Sequence, residues 1–316
     1  MKILLTGSSG FIGFHLTKKL LSLGHEVIGI DNHNDYYDPK LKETRLKNLP
    51  KKNFKFYNQD INEINIREKA FDIAINLAAQ AGVRVKPEME YLYEHSNIEG
   101  YKSFCNFCFE NNVTKVIYAS SSSVYSDKGG SKFTEEVTHL EPKSMYGKSK
   151  LFNETYSTHL ASITKIQFVG LRFFSVYGPY GRPDMAYYLF TEALKKNKKI
   201  MLNNDGNMLR DMTYIDDIVD GIINSINLLT SGLNNKSHEI INLGNDNPIT
   251  TLMLLNSLEK KLNKNSKIIN IKTSNESAYT HADITKAGTL IGYKPKIGLE
   301  EGINRFLEWH NYYENV

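Results

Sequence analysis

Cysteine is scarce in this 316-residue chain. The two that occur, Cys105 and Cys108, share the stretch Phe104-Cys105-Asn106-Phe107-Cys108-Phe109. A zinc site would need further ligands, and no second pair exists. A redox motif would follow a strand at the start of a helix, whereas these residues fall among aromatics inside one. They read as small apolar residues of a helix core. The nine histidines are scattered, none at metal-ligand spacing, so no metal is expected. Long apolar runs are missing too. Nothing approaches the roughly 20 residues of a membrane span. The opening Met1-Lys2-Ile3-Leu4-Leu5 is cut short by Gly7, Ser8, Ser9 and Gly10 and reads as a buried strand rather than a signal peptide, which favours a cytoplasmic location. Charge of one sign is also lacking. A net charge of +4 gives no case for nucleic acid and is compatible with a small anionic substrate.

What is present fits a soluble globular protein, 41% hydrophobic and 23% charged, of a length that suggests one large domain or two. Lys2–Thr6 is a short apolar run that ends in Gly7-Ser8-Ser9-Gly10-Phe11-Ile12-Gly13. Phe14, Leu16, Leu20, Leu21 and Leu23 follow at helical spacing, Gly24 ends that helix, and Glu26–Ile30 is a second strand closing on Asp31. A strand, glycine turn, helix and strand in this order is the context of a dinucleotide site. Gly7 permits the tight turn, Gly10 lets backbone N–H groups approach a pyrophosphate, and Gly13 lets helix and strand pack closely. Asp31 is placed to accept from the adenosine ribose, and its charge would repel a 2′-phosphate, so NAD is expected over NADP.

Further strands are expected at Phe54–Asn58, Asp72–Leu77, Lys115–Ala119 and Ile166–Leu171, with helices near Lys40–Asn48, Glu88–Glu110 and after Pro142. This βα alternation predicts an α/β fold, a doubly wound parallel sheet of Rossmann type. From Gly178 the texture changes. Helices near Met185–Lys196, Ile215–Leu229 and Thr250–Leu262, with short strands near Ile200, Glu239–Asn242 and Lys267–Ile271, predict a smaller mixed α/β C-terminal lobe. The expected division is residues 1–177 for the cofactor and 178–316 mainly for the substrate, with some interchange of chain.

Tyr146 and Lys150 lie four apart, on one face of a helix. A nearby ammonium favours the phenolate, so Tyr146 is a candidate general base and acid, and Lys150 is expected to lower its pKa. Alone, such a pair is most often a surface stripe. Here the strand ending at Ser120–Ser123 brings Ser121 to the same sheet edge, where the nicotinamide of a dinucleotide bound at Gly7–Gly13 would lie. Tyr146 can then take the proton of a hydroxyl whose carbon loses hydride, with Ser121 bonding the same oxygen and Lys150 the nicotinamide ribose.

The glycine motif, Asp31, Leu77-Ala78-Ala79, Ser120–Tyr125, the Tyr146/Lys150 pair and Arg210-Asp211-Met212-Thr213-Tyr214-Ile215-Asp216-Asp217 resemble the extended short-chain dehydrogenase/reductase family. Within it the chain is most similar to UDP-glucuronate 4-epimerases, through Asp31–Arg45, Ala78–Arg84, Tyr118–Tyr125 and Arg172–Ala186. The resemblance implies a resident NAD held by the glycine loop with Asn32, Asp60, Ile61, Leu77, Ala78 and Ala79, a UDP-hexuronate substrate, a 4-keto intermediate and a homodimer. It also implies that Ser121, Ser122, Ser123 and Ser175 meet the sugar carboxylate, that Arg182 supplies positive charge, that Arg210 contacts the diphosphate, and that Arg84 and Asn97 belong to the substrate site. Ser122 and Ser123 stand where 4,6-dehydratases carry an acidic pair, and Ser123 where decarboxylating relatives carry glutamate. Departures from the pattern include Asn76, Tyr180 and Asn203. Two other readings stay open: an epimerase, or a one-way 4-dehydrogenase or ketoreductase, on another nucleotide sugar, and a silent NAD-binding scaffold or sensor.

Overall fold

Short apolar strands joined by right-handed helical crossovers bury both faces of a parallel sheet when the strand order reverses once, which moves the later crossovers to the opposite side. The computed structural model, which describes residues 1–83, 85, 87–126, 130–233, 236–272 and 279–314, has this arrangement. Seven strands, β1 (Lys2–Thr6), β2 (Glu26–Asp31), β3 (Phe54–Asn58), β4 (Ile73–Asn76), β5 (Lys115–Ser121), β6 (Gln167–Phe173) and β7 (His238–Leu243), form one parallel sheet. Their order is β3-β2-β1-β4-β5-β6-β7. The order reverses between β1 and β4. Parallel sheets of this kind leave a crevice at that point, beyond the C-terminal strand ends.

Two cores follow from the two faces. On one side α1 (Phe11–Ser22) contributes Leu16 and Leu20 to a cluster with Ile3, Leu5 and Ile75 from the sheet. On the other, the helix Gly100–Glu110 buries Phe104, Cys105 and Cys108 against Leu4, Val116 and Phe168. Both cysteines are free thiols in that core, and burial pushes Cys105 up to about 12. The helix Met145–Ile163 packs on the same face, with Tyr101 and Ser157 hydrogen-bonded at 2.6 Å.

Three sequence expectations need correction. The segment at 239–242 is not a short strand of the C-terminal lobe. It is part of β7, the last strand of the main sheet, paired with β6 in register from His238 to Leu243. Its alternating pattern identifies a strand but not its partner. The helix Ile215–Ser231 likewise returns to the sheet and joins the core beside α1. Finally, the expected helix over 88–110 is not uniform: Pro87–Met89 is a 3-10 turn, Tyr91–Tyr93 is a single α-helical turn, Glu94–Glu99 is π-helical, and α-helix resumes over Gly100–Glu110.

The remaining chain covers the strand ends. The helices Ala186–Lys195, Thr251–Leu262 and Leu299–Glu314 pack together there through Leu194, Leu255 and Phe306. Lys199–Asn203 and Lys267–Ile271 form a separate parallel pair.

Candidate functional site

A cavity of about 1140 Å³ opens along the C-terminal edge of the sheet, between the strand ends and the covering helices. Its cofactor-side wall is the turn between β1 and α1. Gly7 has φ +74°, and a Cβ there would lie 2.6 Å from the Ala78 backbone nitrogen. A Cβ on Gly13 would lie 2.0 Å from the Gly7 carbonyl oxygen. Only glycine permits this closeness of strand, turn and helix. Gly10 is the N-cap of α1, with no side-chain cap and no acidic residue in the first turn. The first-turn N–H groups of Phe11, Ile12 and Gly13 therefore have no intrahelical acceptor. All three residues line the cavity. A helix start left uncapped at a cavity wall fits a pyrophosphate.

Asp31, at the end of β2, also lines the cavity. Its carboxylate accepts from the Ser9 N–H at 3.2 Å and the His33 N–H at 3.0 Å, which fixes it beside the glycine turn. Asn32, Ile61, Leu77, Ala78 and Ala79 line the same end. Asp60 does not. It caps the 3-10 turn Ile61–Glu63 by accepting from the Asn62 N–H at 2.9 Å, and it accepts from Asn32 Nδ2 at 2.9 Å. Its contribution is to hold Asn32 at the rim. An uncapped glycine turn, a carboxylate at the end of β2 and small residues after β4 together fit NAD.

Tyr146, Lys150 and Ser121 converge midway along the cavity. Ser144 caps the helix Met145–Ile163 by accepting from the Gly147 N–H at 3.0 Å. A Cβ on Gly147 would lie 2.3 Å from the Ser123 carbonyl oxygen, so the helix start rests directly on the serine turn. Ser121 Oγ accepts from the Ser123 N–H at 3.1 Å, and its side chain is close enough to Tyr146 to favour the phenolate. Lys150 Nζ lies 5.7 Å from the Tyr146 ring centroid and donates to the Ala119 carbonyl at 3.0 Å. The expected electrostatics are corrected here. Burial raises the Tyr146 phenol above its ordinary value, and the groups opposing that rise are the Arg182 charge and the Ser121 side chain. Lys150 is itself pulled down to about 8 by burial. Helical spacing puts Lys150 on the right face, but its ammonium is directed at the end of β5.

The far end of the cavity gathers Ser122, Ser123, Ser175, Arg182 and Arg210. Arg182 donates from Nε and Nη2 to the two oxygens of Asp184, at 2.9 and 2.6 Å. Arg210 Nη1 donates to the Leu209 carbonyl at 2.9 Å. Asn97 departs from expectation: it is buried behind the wall, where it accepts from the Gln80 N–H at 2.7 Å and donates to Ser149 Oγ at 2.9 Å. It joins the β4 exit to the Tyr146 helix instead of facing a ligand. Arg84 lies outside the described residues.

Several groups at the site carry little signal in the sequence. Tyr36 and Lys42 both line the cavity, and Lys42 donates to the Asn34 carbonyl and to its Oδ1 at 2.8 and 2.7 Å. Arg45 is fully buried and donates to the carbonyls of Ser9, at 3.0 Å, and Tyr180, at 2.7 Å, linking the glycine turn to the loop that precedes Arg182. Beneath the serines, Arg172 on β6 pairs with Glu154 at 2.8 and 2.7 Å. Ser120 donates to that carboxylate, and Arg172 Nη1 donates to the Tyr125 hydroxyl at 2.7 Å. Both flanks of the serine turn are thus tied to one buried ion pair.

Among the described residues, one grouping has metal-ligating side chains, Glu192, His310 and Glu314. None of the three lines the cavity, and the Lys195 ammonium already sits 2.9 Å from His310 Nδ1 and pairs with Glu314.

Residues 3–244 match the sequence family described as NAD dependent epimerase/dehydratase. An uncharacterized protein of Methanocaldococcus jannaschii is 41% identical over 318 residues, which span 97% of this chain and 95% of that protein. UDP-glucuronate 4-epimerase 4 of Arabidopsis thaliana is 37% identical over 330 residues, 98% of this chain and 76% of that one. Among solved structures, UDP-glucuronic acid 4-epimerase from Bacillus cereus, in complex with UDP-glucuronic acid and NAD, is similar with a TM-score of 0.91 and 32% identity, covering 99% of this chain and 100% of that chain.

Proposed function

This chain belongs to the NAD dependent epimerase/dehydratase family, and from that premise we propose that it interconverts UDP-glucuronate and UDP-galacturonate by oxidation and re-reduction at C4. The observation that carries the uronate reading is the shared cavity, in which Arg182 acts electrostatically on the Tyr146 phenol while Ser121, Ser122, Ser123 and Ser175 line the same walls. A cation and a row of hydroxyl donors suit a sugar that carries a carboxylate.

The glycine turn and Asp31 would hold NAD, which would supply the acceptor for hydride from C4 and its donor for return to the opposite face. Tyr146 takes the proton of the C4 hydroxyl and, by microscopic reversibility, gives it back after the ketosugar has turned over. Ser121, which lines the cavity beside Tyr146, is placed to donate to the same oxygen. Lys150, when it turns from the Ala119 carbonyl to a nicotinamide ribose, brings a positive charge to the phenolate. The oxidised sugar is a β-keto acid that loses carbon dioxide if its C5–C6 bond aligns with the carbonyl π system. The serine hydroxyls and Arg182 hold the carboxylate out of that alignment. Ser122 and Ser123 cannot eliminate water as an acid and base pair would, which leaves the sugar skeleton intact. Arg210 is assigned to the diphosphate.

The chain acts as a homodimer in this reading, through the helices Gly100–Glu110 and Met145–Ile163, where Phe109 and Ile163 are each 64% exposed. No helix among the described residues is long and apolar enough to cross a membrane, in keeping with cytoplasmic work on soluble nucleotide sugars, for which cell-surface polysaccharide synthesis is a natural use. The deciding experiment is NMR of the product after incubation with UDP-glucuronate and no added cofactor. UDP-galacturonate is expected. A need for stoichiometric NAD, with NADH released, would replace this reading with a one-way dehydrogenase.

A further inference from the structure

Arg182 reaches the cavity already engaged. Its Nε and Nη2 donate to Asp184 as a parallel pair, and Nη1 has no hydrogen-bond acceptor among the described residues. Asp184 is itself restrained. The Tyr36 hydroxyl, from the loop after β2, donates to its Oδ2 at 3.1 Å. Tyr36 is kept in place by Gly82, where a Cβ would lie 2.2 Å from the Tyr36 oxygen. Burial and the neighbouring Asp184 push the Tyr36 phenol up to about 12, so it remains a donor at neutral pH. Burial pushes the Asp184 carboxyl up, but the Arg182 and Tyr36 contacts outweigh it and leave Asp184 below its usual value, ionised. A carboxylate in a forked pair cancels much of the field of its guanidinium.

We propose that Asp184 and Tyr36 are positioning residues that hold Arg182 in a charge-attenuated state, so that a substrate carboxylate binds it weakly enough to be released and recaptured while the oxidised sugar turns over. This rests on the uronate reading of the site. A bare, mobile arginine in this cavity would grip a uronate by both oxygens and favour one ring orientation over the other. An arginine held on one edge by an aspartate keeps its position, keeps its influence on Tyr146, and offers the ligand a contact that either orientation can use. The demand is peculiar to an epimerase, which must present both faces of one ring to a fixed hydride donor.

Asp184→Asn and Tyr36→Phe, made in the NAD-bound protein, test this with three ligands: UDP-glucuronate, UDP-glucose and UDP. D184N is expected to bind UDP-glucuronate roughly tenfold more tightly, the worth of an unmasked charge-assisted contact, and to turn it over more slowly, so that KM and kcat fall together. Affinity for UDP-glucose and UDP stays as in the parent. Y36F moves in the same direction by about twofold, because Asp184 loses the hydrogen bond that keeps it aligned with the guanidinium fork. A purely structural role would weaken all three ligands alike, and that result overturns the proposal, as does unchanged or weaker binding of UDP-glucuronate. If D184N does not fold, Y36F decides alone, and the absence of uronate-selective tightening refutes the idea. Failure of the parent protein to prefer UDP-glucuronate over UDP-glucose would instead remove the uronate reading. A parent that epimerises UDP-glucuronate beside variants that do not shift removes only the clamp.

Discussion

Lys150 should destabilise the protein it serves, and Lys150→Met makes that measurable. The residue is 1% exposed, and among the described residues its ammonium has one hydrogen-bond acceptor, the Ala119 carbonyl at 3.0 Å. Burial pulls its pKa from 10.5 to about 8. Between those values the unfolded chain holds a proton that the folded protein has released, so stability rises with pH across that window. Below about pH 8 the folded state carries the whole cost of the buried charge, roughly 3 kcal/mol for such a shift. Methionine removes the charge at similar volume but leaves the Ala119 carbonyl without its donor, at about 1 kcal/mol. The variant is therefore expected to be about 2 kcal/mol more stable at pH 7, an increase of roughly 4 °C in melting temperature for a chain of this size. Its advantage should shrink above pH 8, vanish at about pH 9.8, and turn into a deficit of about 1 kcal/mol above 10.5, where only the lost hydrogen bond remains. Melting curves of dinucleotide-depleted protein at a series of pH values read this directly. A K150M protein less stable than its parent at pH 7, or a difference that ignores pH, would refute the reasoning. The same variant should lose activity, an exchange of stability for function at one atom.

Tyr146→Phe should lower kcat by roughly three orders of magnitude, within the range for loss of general acid–base catalysis, while NAD and UDP still bind; product NMR and ligand titration separate the two effects. Gly13→Ala should purify without dinucleotide, because its Cβ would meet the Gly7 carbonyl at 2.0 Å and displace the turn; the absorbance of released cofactor reports this. Glu154→Ala should cost roughly 3–5 kcal/mol by stranding the buried Arg172 charge, whereas the double replacement Glu154→Leu with Arg172→Met should recover much of that loss. Denaturant titration of both singles and the double measures the coupling, and simple additivity would count against it.

The sequence is most legible where contacts are local. Lys2–Thr6 and Phe54–Asn58 are read with their observed ends, and the glycine turn is fully specified by three residues and the strand before them. Legibility fails where a contact joins distant parts of the chain. His238–Leu243 is plainly a strand, but its pattern cannot say that it pairs with β6. Tyr36 is visible as part of a tyrosine-rich loop, yet nothing in that loop points to Asp184 across the cavity. The resemblance marks Asn97 as a site residue, and only its three-dimensional surroundings direct the amide to Gln80 and Ser149. Helical periodicity aligns Lys150 with Tyr146 but cannot supply the carbonyl that the ammonium prefers.

Arg45 binds the Ser9 carbonyl of the glycine turn and the Tyr180 carbonyl of the facing loop with a single buried cation. Parting the glycine turn from that loop means exposing this cation and breaking its bonds. In the proposed epimerase reading the coenzyme is a fixture rather than a consumable. A catalyst built in this way draws no electrons from its surroundings and returns none, so its flux should track the supply of nucleotide sugar and stay indifferent to the ratio of oxidised to reduced coenzyme in the cell.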